Sequence, residues 1–163
     1  MNIFEDGKGR KFEVRPMLCN LVVIDIDTAE SDAPLWGTLQ AMGLPADYPW
    51  VVQTPDQSFH IWVRCPTAEL EQYLGGQDKL IGDLPGCKQV ELRWRGYIGM
   101  LPPSAHPNGG RYAYLSGGDI PGEPPTTVAV QEVLAVAAWR STRLRNRAAL
   151  ALLLWKGNHE RNL

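Results

Sequence analysis

Hydrophobic and polar positions divide this chain into short, well-punctuated elements. The run Leu21-Val22-Val23-Ile24-Asp25-Ile26-Asp27 is β-branched, continuous and acidic only at its end, which predicts a buried β-strand. Trp50–Thr54 and Ser58–Arg64 predict two more strands, separated by the turn-prone Pro55-Asp56-Gln57. In the latter the alternation is clean. Phe59, Ile61 and Val63 share one face; Ser58, His60, Trp62 and Arg64 share the other. Gln89–Arg95 repeats the pattern, with Glu91, Arg93 and Arg95 on one face, and Gly96–Leu101 predicts a strand ended by Pro102-Pro103. Asn108-Gly109-Gly110 signals a turn, after which Arg111–Leu115 is expected to return as a strand. A further short strand is expected at Lys11–Arg15 within the polar first 19 residues.

Helical signals lie between and after these strands. Ser31 or Asp32 is placed to cap a short helix near Ala33–Met42 that stops at Gly43. Thr67–Leu74 has a capping residue, early Glu residues and a Gly75-Gly76 stop. Ser116–Pro125, with three Gly and three Pro, reads as a loop, and the Ala-, Leu- and Arg-rich residues 126–156 predict helix. Strands in the middle and helices at the end indicate an α+β fold rather than a doubly wound parallel sheet.

Composition narrows the class. At 163 residues and 44% hydrophobic, with six Trp, the chain has the size and core of one globular domain, which excludes global disorder. Its longest apolar run, Ala148–Trp155, has eight residues, far short of the ~20 a membrane helix requires. Cys19, Cys65 and Cys87 are odd in number, widely spaced and without zinc-ligand spacing, as expected of free thiols in a reducing cytosol. Charge is unevenly distributed: residues 1–139 carry 10 Lys/Arg against 17 Asp/Glu, whereas residues 140–163 carry six against one. An acidic body does not suit a general duplex-DNA binder; it suits a site that concentrates carboxylates around metal ions. The basic tail is the one electrostatic footprint for nucleic acid.

Several residues stand out chemically. Asp25 and Asp27, two apart on a strand, share a face about 6–7 Å from one another and repel unless a cation lies between them. Two divalent ions ~3.5–4 Å apart would satisfy both; the plain alternative is a strand end whose acids face water. The Ser58/His60/Trp62/Arg64 face aligns a hydroxyl, an imidazole, an aromatic plane and a guanidinium, suited to a nucleotide's phosphates and base, or simply to a solvated face. Glu91, Arg93 and Arg95 suit a metal site with phosphate-holding guanidiniums, or plain cross-strand ion pairs. The rigid Leu101–Tyr112 segment holds Ser104 and His106 in a loop of fixed shape. No Walker-type phosphate loop, nucleophile elbow or His-Glu-x-x-His zinc helix is present.

Taken together, these segments resemble the bifunctional primase–polymerase (prim-pol) family of the archaeo-eukaryotic primase superfamily. Val22–Asp27 looks like its hydrophobic-Asp-x-Asp strand, and Thr54-Pro55 through Ser58-Phe59-His60-Ile61-Trp62 like its Ser-x-His strand. Val90-Glu91-Leu92-Arg93 through Gly96 looks like its third, single-acid motif; Pro102–Pro107 with Gly110-Arg111-Tyr112 looks like the hairpin that follows. The resemblance covers roughly residues 20–115. It departs at Glu91, where many members have Asp, and at Pro55–Ser58, where Ser-Gly-Gly is common.

The resemblance implies an RRM-like antiparallel or mixed sheet core with helices packed on it and a helical C-terminal segment. It divides the chain into residues 1–125, an N-terminally short catalytic core, and residues 126–163, a helical basic segment or the start of a linker. It implies a nucleotidyltransferase that makes DNA or RNA primers, or polymerises DNA, on a single-stranded DNA template. Asp25, Asp27 and Glu91 would bind two Mg²⁺ or Mn²⁺ ions. Ser58 and His60 would hold the triphosphate of the incoming nucleoside triphosphate, with Arg93, Arg95, Ser104 and His106 lining the same pocket. A helicase or primase-cofactor domain, on the same or another chain, would be a partner. The setting would be the cytoplasm of a prokaryotic cell, with the gene on a plasmid or virus. The alternatives are a non-catalytic nucleotide- or single-strand-binding module derived from the same fold and, ranked last, a two-metal nuclease.

Overall fold

The computed structural model describes residues 12–14, 20–97 and 99–141. Its elements are β1 (Phe12–Val14), β2 (Leu21–Ala29), α1 (Ala33–Ala41), β3 (Val51–Gln53), β4 (Phe59–Arg64), α2 (Thr67–Leu74), β5 (Lys79–Asp83), β6 (Cys87–Arg93), β7 (Gly99–Leu101), β8 (Ala113–Tyr114), α3 (Val130–Leu134) and β9 (Ala138–Trp139). Seven strands form one sheet in the order β8-β3-β4-β2-β6-β5-β9, and β1 pairs with β7 in a separate ribbon. All strand pairs are antiparallel. The fold is therefore α+β, and its sheet is antiparallel rather than mixed.

β2, the most apolar segment, lies at the centre of this sheet. Val22, Ile24 and Ile26 pair in register with Val63, Ile61 and Phe59 of β4, and Ile24 and Ile26 also with Leu92 and Val90 of β6. All eight are buried, in one cluster with Leu35 and Leu39 of α1 and Leu70 and Leu74 of α2. This is the face that burial demands; the opposite face of the same three strands is left for polar side chains. α1 ends as expected: Met42 closes it, and Gly43 turns the chain at φ +65°. α2 also keeps its expected bounds, although Pro66, not Thr67, precedes its first turn.

Three expectations are corrected. The pattern reading passed over β5, which forms a hairpin with β6 through Leu84-Pro85-Gly86, Gly86 sitting at φ +81°. The return strand does not pair with β7. It contracts to β8, which pairs with β3, because burying Tyr112 and Tyr114 draws the chain to that edge; Tyr114 packs edge-on against Trp50. The rigid loop closes upon itself instead, through the bridge Ala105–Arg111 and the Arg111 guanidinium donating to the Pro103 carbonyl at 2.8 Å. Finally, residues 126–141 are not one helix: α3 spans five residues, and β9 then adds to the edge of β5. Trp139 packs over Gly82, where a Cβ would lie 2.7 Å from the indole ring. Cys19, the expected helix over 142–156 and the basic tail beyond Ser141 lie outside the described residues.

Candidate functional site

Register brings the sequence motifs together. Asp25 lies directly opposite His60 on one side and Glu91 on the other, so three ionisable side chains form a row across β4, β2 and β6. Two residues along, Asp27 faces Gln89; two residues the other way, Val23 faces Arg93. The period of two keeps all of these on the face opposite the aliphatic core. Asp25, His60 and Glu91 are nonetheless 8%, 7% and 4% exposed, so their charges are poorly hydrated and need protein partners.

Those partners are mostly cationic. Arg93 Nη2 lies 3.1 Å from Asp25 Oδ2 and 2.5 Å from Glu91 Oε2. Lys79 Nζ and Gln89 Nε2 both donate to Glu91 Oε1, at 2.8 and 2.7 Å. His60 Nε2 faces Asp25 Oδ1 at 3.5 Å. Burial is the largest influence on Asp25 and raises its carboxyl above the ordinary value; His60 and Arg93 pull it down, while Glu91 and Asp27 push it up again. Burial likewise lowers the His60 imidazole below its usual range, with Asp25 opposing. Asp27 is held differently: Thr28 Oγ1 and Ser58 Oγ donate to its Oδ1, at 3.1 and 3.4 Å, and Thr28 N–H donates to Ser58 Oγ at 3.0 Å. Thr28 occupies φ +47°, a strained conformation for a β-branched residue, directly after the acid.

The other expected site residues are placed unequally. Arg95 reaches the rim, where Glu71 and Asp78 hold it at 3.1 and 3.8 Å. His106 packs edge-on against Tyr112, whose ring lies 5.8 Å from that of His60, so the rigid loop forms a wall beside the row. Ser104, within that loop, is fully buried. Trp62, expected to present its plane to a base, is 1% exposed, because β7 crosses it and a Cβ on Gly99 would overlap its ring. The sequence reading missed Lys79, Gln89 and Tyr97, the last lying under the Arg93 guanidinium at 4.9 Å. The Pro85-Gly86 turn was the available signal for Lys79: a hairpin about it sets Lys79 opposite Arg93. Asp78, Lys79, Arg93, Arg95, Gly96 and Tyr97 line a cavity of about 250 Å³ beside the acids.

A family model, bifunctional DNA primase/polymerase, N-terminal, matches residues 14–128. The chain belongs to this Prim-Pol family. No curated protein and no solved structure matches it. Prim-Pol membership implies a nucleotidyltransferase-type enzyme with nucleotide and DNA substrates, and enzymes of the family generally use divalent metals. The donor chemistry here fits such ions: Asp25, Asp27 and Glu91 offer hard carboxylate oxygens on one face. As they stand, no three His, Cys, Asp or Glu side chains among the described residues converge closely enough to hold a metal, and Arg93 and Lys79 pair with the carboxylates. No helix among the described residues is long and apolar enough to cross a membrane.

Proposed function

We propose that this Prim-Pol chain carries out template-directed nucleotidyl transfer, making or extending primers on single-stranded DNA from nucleoside triphosphates, on an RRM-like core of the archaeo-eukaryotic primase type. The observation that carries this reading is the cross-strand row His60–Asp25–Glu91, with Asp27 and Arg93 one step away on the same face. Two buried carboxylates, Asp25 and Glu91, with Asp27 on the same face, are costly to maintain for binding phosphate alone; they are what phosphoryl transfer with divalent ions needs.

Asp25, Asp27 and Glu91 would hold two Mg²⁺ or Mn²⁺ ions, which supply a lowered pKa for the attacking 3′-hydroxyl and charge neutralisation of the departing pyrophosphate. The chain's own residues do the positioning. Ser58 and Thr28 orient Asp27, so the Ser58 hydroxyl serves the acid more directly than the triphosphate. His60 keeps Nε2 towards Asp25; its buried Nδ1, unpartnered among the described residues, would donate to a phosphate oxygen in the doubly protonated ring that a bound triphosphate favours. Arg93 and Arg95 offer guanidinium donors to the same phosphates, and His106 with Tyr112 closes one side.

Primer extension with Mn²⁺ or Mg²⁺ tests this directly. Asp25→Asn and Glu91→Gln should each lower the rate on the order of 100-fold or more, the scale of losing a group that stabilises transition-state charge. Undiminished extension by a folded Asp25→Asn variant would sink the assignment. Triphosphate binding that needs Asp25 and Mn²⁺, without extension under any condition, would instead favour the binding-module reading.

A further inference from the structure

We propose that Arg93 and Lys79 are exchangeable counter-ions: they neutralise Asp25 and Glu91 in the free protein and turn to phosphate oxygens when a divalent ion and a triphosphate bind, coupling the two ligands. The inference rests on the reading of the acids given above and assigns Lys79 to the site.

Burial makes a counter-charge necessary. Glu91 and Asp25 are nearly inaccessible to water, and a lone buried carboxylate is strongly unfavourable. Arg93 Nη2 bridges the two acids, and Lys79 Nζ covers the other Glu91 oxygen at 2.8 Å. A divalent ion that takes these oxygens must displace both cations, so without nucleotide its affinity is lowered by the cost of separating those pairs.

Both cations also have a second place to go. The Arg93 guanidinium lies 4.9 Å over the Tyr97 ring, a contact that fixes its plane without using its N–H donors. Its Nε is buried and unpartnered among the described residues, a donor not yet spent. The Lys79 side chain is about half exposed, on a long flexible stem. Both line the 250 Å³ cavity that Arg95 and Tyr97 share. Once released from the carboxylates, two positive heads in that cavity form a site for an anion with several oxygens. The triphosphate thus recovers what the metal displaces, and by linkage each ligand tightens the other equally.

A static ion pair is told apart by the coupling. Removing a Lys79 that stays on Glu91 would also ease Mn²⁺ binding by relieving charge repulsion, but only a lysine that turns to phosphate makes its removal lessen the tightening each ligand gives the other.

The test measures Mn²⁺ binding through the electron paramagnetic resonance signal of the free ion, with and without a non-hydrolysable nucleoside triphosphate. Lys79→Met should bind Mn²⁺ alone about 3- to 5-fold more tightly than wild type, the scale of losing one partly exposed competing ion pair. With Mn²⁺ present, its triphosphate affinity should fall by a similar factor. Lys79→Arg should restore both, and Lys79→Gln gives the same readout should the Met variant aggregate. Mn²⁺ binding that depends on Asp25 but is unchanged or weaker in Lys79→Met, or is tightened by the triphosphate there as much as in wild type, would overturn the exchange while leaving the proposed function standing. No Asp25-dependent Mn²⁺ binding by folded wild type, with or without the triphosphate, would overturn both.

Discussion

At the scale of single residues, the site is a problem of burying charge. Asp25 and Glu91 sit on a sheet face nearly as dry as the core, and each is supported by side chains from a neighbouring strand. His60 answers the same constraint through an imidazole that burial makes harder to protonate. Because the folded protein keeps its pKa low while the unfolded chain takes up a proton near pH 6.5, the unfolded state binds more protons below that pH. Stability in chelator should therefore fall as the pH drops from 7.5 towards 5.5, by at most about 1.4 kcal/mol per pH unit for this one proton. Urea unfolding checks this: His60→Gln should lack that part of the slope, and an unchanged slope would mean the ring takes up its proton in the fold as readily as in the unfolded chain.

Among the elements, β7 decides how much of the site face is open. Its Gly99 approaches Trp62 so closely that a methyl group there would overlap the indole, with Tyr97 Cε1 a further 3.2 Å neighbour. Gly99→Ala should thus destabilise by about 1–3 kcal/mol through overpacking. That cost should shrink in a Trp62→Leu background, as expected of two side chains that share one space. Equal costs in both backgrounds, measured by denaturant midpoints, would show that β7 does not rest on Trp62. The same packing withdraws Trp62 from any nucleotide and leaves Tyr97 and Tyr112 as the aromatic rings near the acids.

Across the whole molecule, the sheet extends beyond the family match. The match ends at residue 128, yet β9 completes the sheet at Ala138–Trp139. Val130, Val133, Val136 and Trp139 are buried, and Arg140 pairs with Asp83 across the last strand pair. Fully burying one such side chain contributes roughly 1.5–3 kcal/mol. A chain ended after Val128 should therefore be less stable by several kcal/mol than one ended after Ser141, a large fraction of a typical domain's total. Equal urea midpoints for the two would mean that β9 adds nothing to the sheet.

The sequence by itself determined the elements whose pattern is local: the β-branched run of β2, the alternation of β4 and β6, and the Gly stops after α1 and α2. It also indicated most of the acids and cations of the site, because alternation alone puts Asp25 with Asp27 and Glu91 with Arg93 on common faces. Only the tertiary structure decided which side chains meet across strands. His60 came to face Asp25, Lys79 came to lie opposite Arg93 and within reach of Glu91, and Ser58 was turned to Asp27, since register depends on pairing between segments far apart in the chain. Packing overrode the local signal where burial was at stake. Trp62 went under β7, β8 left its expected partner for β3, and the Ala-rich segment after residue 126 yielded a strand, because each could bury more apolar surface that way than its own pattern allowed.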